Sequence, residues 1–514
     1  MVGMAAMVAS TIWLYSPVLS LELLGDDYHW VQHAHRALHH PWLLLADLDS
    51  FYRPASTWTL AVDRLLWPWW PPGYHATNLA LHGLTALLLV AAARRLGLAP
   101  GPALAVGWLW AFSPWACESA IQVAIRFESL LLAAWCLMIL LWPGKDEGWR
   151  PVRIGGVAAA VALAMASKET WAVTPALAWL LERFQRGRRG REALLVPALL
   201  ASLALLYSSV YFSFFPSDKG YFQWQAATFA KIPQQLAGFF WLAPHRPAEF
   251  IFSIPLSLAV LATVALGWLG WRSASPAMTV GLGLLLLPAL PTLGVPLLPL
   301  RHCAAPYAGF LLLVAGALAE LSRRLGPRAR PVAWGVAAAI AALAAVGGAL
   351  VVRAELEDAR RLSAAHQVVL AHARQVAWML SEERPVLVVR AEGTNVLKEL
   401  GESYLGWPKL LYVREKDPAA LIDAAALFWW VRARPGEDVV RRDDPMAADL
   451  HRPGEVLIYT EGGFRRVAAP VDDVAAEARI LAARRVRFRV IELRRWQRAQ
   501  LTSPSSSVRK PGKA

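Results

Sequence analysis

The sequence predicts an α-helical polytopic membrane protein of about eleven spans, followed by a small soluble α/β domain. Three observations predict it. The 514 residues are 56% hydrophobic and include 25 Trp, with a mean hydropathy of +0.38, which excludes an ordinary soluble enzyme. Apolar stretches near the ~20 residues that a spanning helix needs recur from the N-terminus to residue 352. From residue 354 the texture changes to short, β-rich runs.

The apolar stretches run 2–24, 76–96, 102–120, 128–142, 154–167, 170–182, 192–214, 250–271, 276–298, 303–321 and 331–352. The fourth to sixth are shorter than a full span. Basic residues exceed acidic ones by 52 to 38, a formal net charge of +14, and such an excess would suit nucleic acid. Its distribution argues against that partner. The cations gather in alternate loops: Arg94-Arg95, then Lys145, Arg150 and Arg153, then Arg183 to Arg191, Arg272, and the run Arg323 to Arg330. Loops of that kind lie on the cytoplasmic side, so the loops between them are expected to face outward. The first span lacks a basic flank and is expected to be retained rather than cleaved. An odd number of spans then carries everything after 352 to the outside. The cysteines, Cys117, Cys136 and Cys303, fit neither a metal spacing nor a disulfide framework.

Three domains are expected: membrane helices over 1–352, an extracytoplasmic α/β domain over 353–500, and a disordered Ser/Pro/Lys tail over 501–514. Candidate strands are 385–389, 410–413, 427–431, 456–459 and 464–467. The last two bracket Glu461-Gly462-Gly463, a hairpin signal. Helical patterns fall at 355–381 and 394–402. No phosphate-binding Gly loop, metal signature or nucleophile elbow occurs there. A recognition or covering role is expected for this domain.

Chemistry concentrates in the outward loops. Asp26 and Asp27 follow the first span directly, and ionisable groups at that depth are costly to place. The first outward loop, 25–75, is dense in Trp and Tyr and is expected to lie along the interface as short amphipathic helices. Arg53 near its centre suits a lipid phosphate or a snorkelling position equally. His75, Asn78 and His82 share one side of the next helix, a polar face that must meet protein or a wet cavity. Later outward loops bring Glu118, Arg126 and Glu128, then Lys168 and Glu169, then Arg301. Acids and cations delivered to one depth by successive loops point to a single assembled polar site. Five histidines lie between His29 and His40, but without an accompanying acid motif they read as interface residues.

In order along the chain, Gly25-Asp26-Asp27-Tyr28, Tyr52-Arg53-Pro54, Gly73-Tyr74-His75 with Asn78 and His82, Ser113-Pro114 with Glu118, Arg126 with Glu128, Ser167-Lys168-Glu169, and Arg301 with Pro306-Tyr307 form a series. This series resembles the polyprenyl-phosphate-sugar-dependent glycosyltransferases of the GT-C fold over about 1–320. It is similar to protein O-mannosyltransferases, to bacterial homologues of the transmembrane-and-tetratricopeptide mannosyltransferases, and to lipid A aminoarabinose transferases. The chain departs from the second group in having no tetratricopeptide repeats after its spans, which leaves the acceptor open.

The resemblance implies a multi-pass protein of the cytoplasmic (inner) membrane among membrane lipids. It implies transfer of a sugar from a polyprenyl-phosphate-linked donor to an extracytoplasmic acceptor, whether protein, lipid or cell-envelope glycan. It implies Asp26 or Asp27 as catalytic carboxylate, with Asp26 favoured as base and Asp27 as a positioning or metal-binding group. Arg53, Arg126, Lys168 and Arg301 would bind the donor phosphate. Glu118, Glu128, Glu169, His75 and His82 would face the acceptor or shape the site. No cofactor is certain, and the resemblance leaves a divalent metal open. A transporter of lipid-linked sugar and a non-catalytic membrane scaffold are the alternative readings. The first would favour internal repeats and mid-membrane helix breaks, and the second gives the convergent charges no purpose.

Overall fold

The computed structural model describes residues 2–24, 26–45, 51–68, 70–214, 231–241, 254–292, 300–375, 386–390, 455–460 and 463–467. Two compact units divide the chain: Met1–Leu21 with His33–Ala359, and Glu22–Gln32 with Arg360–Ala514.

The helices in chain order are α1 (Val2–Tyr15), α2 (Asp26–His39), α3 (Pro54–Leu66), α4 (Pro71–Arg95), α5 (Pro100–Ala111), α6 (Pro114–Ile121), α7 (Arg126–Leu141), α8 (Pro151–Ser167), α9 (Thr174–Leu180), α10 (Leu195–Phe214), α11 (Lys231–Trp241), α12 (Ile254–Ser273), α13 (Pro276–Leu286), α14 (Ala289–Thr292), α15 (Ala304–Arg324) and α16 (Ala329–Gln375). Five helical stretches among the described residues are long and apolar enough to cross a membrane: Val2–Ser20, Pro71–Arg95, Val123–Leu141, Ala304–Arg324 and Ala329–Ala364. Pro151–Ser167, Leu195–Ser209 and Pro276–Pro291 are shorter apolar helices. The chain is therefore a multi-pass helical membrane protein, with fewer full-length spans described than the eleven expected.

The differences have local causes. The expected span 102–120 is two helices, α5 and α6. Pro114 supplies no N–H, and the Ser113 hydroxyl accepts from Trp115 N at 3.0 Å to start a new helix. The expected span 170–182 is a 3-10 turn (Glu169–Val173), the short α9 with Pro175 in its first turn, and a π turn over Leu181–Gln185. The expected span 331–352 does not stop where polarity rises, because α16 runs on to Gln375 through part of the 355–381 pattern. Polar residues end an apolar stretch but do not break a helix.

Within the first unit, α13 and α15 approach closely because glycines line both. A Cβ on Gly309 would lie 2.3 Å from Leu285 N, and one on Gly281 would lie 2.7 Å from Leu313 N. Buried Trp rings fill the core, and two of them donate across it: Trp110 to Ala304 O at 2.9 Å and Trp135 to Thr174 Oγ1 at 3.0 Å. Outward faces are apolar. Val332, Val336, Ile340 and Leu343 on α16, like Leu258, Leu261, Val264 and Trp268 on α12, are exposed, as a lipid-facing surface requires. Helix α3 follows the same rule. Trp58, Val62, Leu65 and Leu66 make one exposed face, while Ser56, Thr57 and Asp63 are buried. Among the basic loops, Glu147 binds both Arg95 and Arg153 and accepts from Gly144 N at 2.7 Å. Arg153 first, then that backbone N–H and Arg95, hold its carboxyl well below the usual carboxylate range.

In the second unit, a three-stranded sheet has the order β1-β2-β3, with β1 (Val386–Arg390), β2 (Glu455–Thr460) and β3 (Gly463–Val467). β1 runs parallel to β2, and β2 pairs antiparallel with β3, Thr460 facing Gly463 across the expected hairpin. The expected strands at 410–413 and 427–431, the helical pattern at 394–402 and the tail 501–514 lie outside the described residues.

Candidate functional site

Lys168 and Glu169 diverge at the end of α8. Lys168 follows Ser167 in an extended conformation (φ −161, ψ 148), and Glu169 opens the next turn. Extended backbone sends consecutive side chains to opposite sides, so the two neighbours serve different partners. Glu169 meets Arg53, which stands just before Pro54 at the start of α3. Arg53 Nε donates to Oε1 at 3.2 Å and Nη2 to Oε2 at 3.0 Å, a two-pronged contact that fixes both planes. Lys168 Nζ donates to Glu128 Oε1, in the first turn of α7, and to His302 Nδ1 at 3.0 Å, in the 3-10 turn Leu300–Cys303. Glu128 and His302 are themselves 3.9 Å apart.

Both cations lie over the ring of Phe127. The Arg53 guanidinium lies 3.9 Å and the Lys168 ammonium 5.7 Å from its ring centroid, and Phe51 covers Arg53 at 4.4 Å. Both members of the Lys168–Glu128 pair are buried, at 4% and 3% side-chain exposure. Burial pushes the Lys168 ammonium below the ordinary lysine value, and Glu128 opposes that shift. Next to His302, Cys303 is buried and feels the charges of Glu118, Glu128 and Lys168. Burial is the main cause that pushes its thiol up. Glu118, half-buried on α6, is thus within electrostatic reach of the cluster.

The structure therefore brings together Arg53, Glu128, Lys168 and Glu169 from three of the expected loops. Arg126 has another commitment. Its Nη1 lies 2.6 Å from Asp63 Oδ2, with both side chains buried, and its Nε donates to Val123 O at 3.2 Å. The Nη1 contact has ion-pair distance without hydrogen-bond alignment, so it is a charge contact. Asp63 Oδ1 accepts from Thr77 Oγ1 at 2.7 Å. Arg53, Arg126 and Lys168, expected to bind the donor phosphate, are each paired with an acid. Arg301 lies in the Leu300–Cys303 turn, with its side chain outside the described residues.

The polar face of α4 meets protein. Asn78 Nδ2 donates to Gln122 O at 2.6 Å and to Ser119 O at 3.2 Å. His82 contacts Ala111 O at 3.1 Å through Nε2 and stacks on Trp110 with centroids 4.7 Å apart. His75 is buried on the same helix. These groups hold the end of α5 and α6, and with them Glu118. Asp26 and Asp27 belong to the second unit, at the start of α2. Asp26 is exposed, whereas Asp27 is buried and its Oδ2 accepts from Leu24 N at 2.9 Å.

Sequence reasoning missed Phe127, His302 and Asp63 as members of this network. Asp63 had a signal, because the apolar face of α3 leaves it on the opposite side. Phe127 and His302 had none, being an apolar residue in an apolar helix and one histidine beside an arginine. Among the described residues, no group of three or more His, Cys, Asp or Glu side chains is placed to hold a metal ion.

The sequence matches no protein-family model and no curated protein. Solved structures that are similar include two of ArnT from Cupriavidus metallidurans. The one bound to undecaprenyl phosphate has a TM-score of 0.49 at 15% identity, covering 89% of this chain and 93% of that chain. The apo one has a TM-score of 0.43 at 16% identity, with the same coverage.

Proposed function

We propose that this chain is a membrane glycosyltransferase that moves a sugar from a polyprenyl-phosphate donor to an extracytoplasmic acceptor, with Asp26 as general base. The observation that carries this reading is the buried Lys168–Glu128 ion pair beside the partly exposed Arg53–Glu169 pair, the cations of both lying over the ring of Phe127. Such groups are expensive among membrane helices and mark ligand or ion chemistry by default. The order of motifs along residues 1–320 supports the same reading.

The chemistry follows from the groups. A sugar C1 bonded to phosphate already has a good leaving group. The acceptor hydroxyl needs a base, and a carboxylate within hydrogen-bond reach supplies one. As the C1–O bond breaks, charge builds on the phosphate, and donors fixed in advance stabilise it. Arg53 and Lys168 are such donors. Each is already balanced by an acid, so the phosphate joins or displaces Glu169 and Glu128 rather than entering a bare cationic pocket. Arg301 is a further candidate for the phosphate, and Arg126 serves the bundle through Asp63. Segment 353–500 is proposed as an outward domain that recognises the acceptor or covers the site.

Binding of undecaprenyl phosphate to the full chain in nanodiscs, followed by native mass spectrometry, tests the donor class. Saturable binding by the wild type that is strongly weakened but still measurable in Lys168→Met supports the reading. Absence of binding by the wild type overturns it. Mass spectrometry of envelope lipids, glycans and proteins from a deletion strain identifies the acceptor.

A further inference from the structure

We infer that His302 is a positioning residue for Lys168, fixing the one ammonium N–H left to meet an anionic oxygen of the bound donor. Only the identity of that anion, a lipid phosphate, rests on the function proposed above.

An ammonium has three N–H donors and accepts nothing. Lys168 directs one to Glu128 Oε1 and one to His302 Nδ1 at 3.0 Å. His302 must therefore present a lone pair at Nδ1 and carry its proton on Nε2. Two acceptors at fixed places on two different elements, α7 and the Leu300–Cys303 turn, determine the direction of the third N–H. With Glu128 alone, the ammonium would rotate about a single anchor. His302 adds direction without adding charge. A second carboxylate in its place would also hold the lysine, but would leave the cluster negative and repel a phosphate. The neutral imidazole thus answers the difficulty that the paired acids raise for anion binding.

The test uses undecaprenyl phosphate as probe and the full chain in nanodiscs. His302→Ala is expected to weaken binding about tenfold, the loss of one hydrogen bond to a charged group. His302→Asn keeps an acceptor near the Nδ1 position and is expected to stay within about twofold of the wild type. In Lys168→Met, adding His302→Ala is expected to cost nothing further, because the histidine acts through the lysine. Wild-type affinity in His302→Ala, no rescue by Asn, or additive losses would overturn the inference. Thermal unfolding of the wild type, His302→Ala, Lys168→Met and the double variant gives a second cycle without lipid. If the wild type fails to bind the lipid while the unfolding shifts of Lys168→Met and His302→Ala are non-additive, the function fails and the positioning stands. Additive shifts without binding reject both.

Discussion

Arg126 and Asp63 meet at 2.6 Å inside the first unit, with 0% and 2% of their side chains exposed. One opens α7 and the other lies near the end of α3, so the pair ties the first loop's helix to the bundle. Removing one partner of a buried pair leaves an uncompensated charge and costs about 3–5 kcal/mol, whereas removing both is often nearly neutral. Asp63→Asn is therefore expected to lower thermal stability sharply, and Asp63→Leu with Arg126→Met to recover most of it. Loss of the donor lipid by Arg126→Met in a protein of full stability would instead return Arg126 to the phosphate site.

The part of this molecule legible in its sequence is the part written in long-range polarity. Apolar stretches gave the helical membrane class, and charges recurring in alternate loops put Arg53, Glu128, Lys168 and Glu169 in one expected site together with Asp26, Asp27, Glu118, Arg126 and Arg301. The pairing was not legible. Arg53, Arg126 and Lys168 look alike as isolated cations, and their acids stand one or two of the expected outward loops away. Helix breaks were only half legible, since Ser113-Pro114 and Pro175 interrupt apolar runs that hydropathy joins. The continuation of α16 past 352 was hidden for the opposite reason, because a helix tolerates the polar residues that end a span.

Burial holds Lys168 below the ordinary lysine value of 10.5. Unfolding restores that value, so the unfolded chain binds more protons and stability rises with pH. Below the folded value both states keep the proton, and the cost of burying the charge is present in full. That cost fades as pH climbs through the folded value toward 10.5. Denaturant unfolding of Lys168→Met across the alkaline range is expected to show a shallower rise with pH than the wild type. An equal or steeper rise would contradict the direction assigned to Lys168.

Loop charges predict sidedness. In a chain whose three natural cysteines are buried, Gly462→Cys is expected to react with an impermeant thiol reagent in intact cells, and Lys145→Cys only after the membrane is opened. The reverse pattern would invert the topology, and with it the proposed extracytoplasmic chemistry.

Gly309 and Gly83 make opposite cases. A Cβ on Gly309 would meet backbone at 2.3 Å, while one on Gly83 meets nothing within 4 Å. Gly309→Ala must push α13 and α15 apart and is expected to cost about 1–3 kcal/mol. Gly83→Ala, in the interior of α4, is expected to gain up to about 1 kcal/mol from helix propensity. Equal unfolding temperatures for the two variants would mean that the α13–α15 approach is looser than described.

Asp26 and Asp27 are adjacent, yet their surroundings differ. Asp27 is buried, and its Oδ2 accepts from Leu24 N at 2.9 Å, reaching back over the first turn of α2 as an acid does in a capping box. Asp26 is exposed, and consecutive helical side chains leave in different directions. The two substitutions should therefore separate. Asp27→Ala removes a cap and is expected to cost about 1 kcal/mol of stability, whereas Asp27→Asn keeps an accepting oxygen and much of that contribution. Asp26→Asn leaves the cap intact and removes the base, so transfer is expected to fall ~10²–10⁴-fold. Binding of undecaprenyl phosphate should persist, because its contacts are proposed for Arg53 and Lys168. Turnover, donor affinity and unfolding temperature measured on the same three variants decide the matter. Near-wild-type turnover in Asp26→Asn, or a loss of turnover confined to Asp27→Asn, would take the role of base away from Asp26.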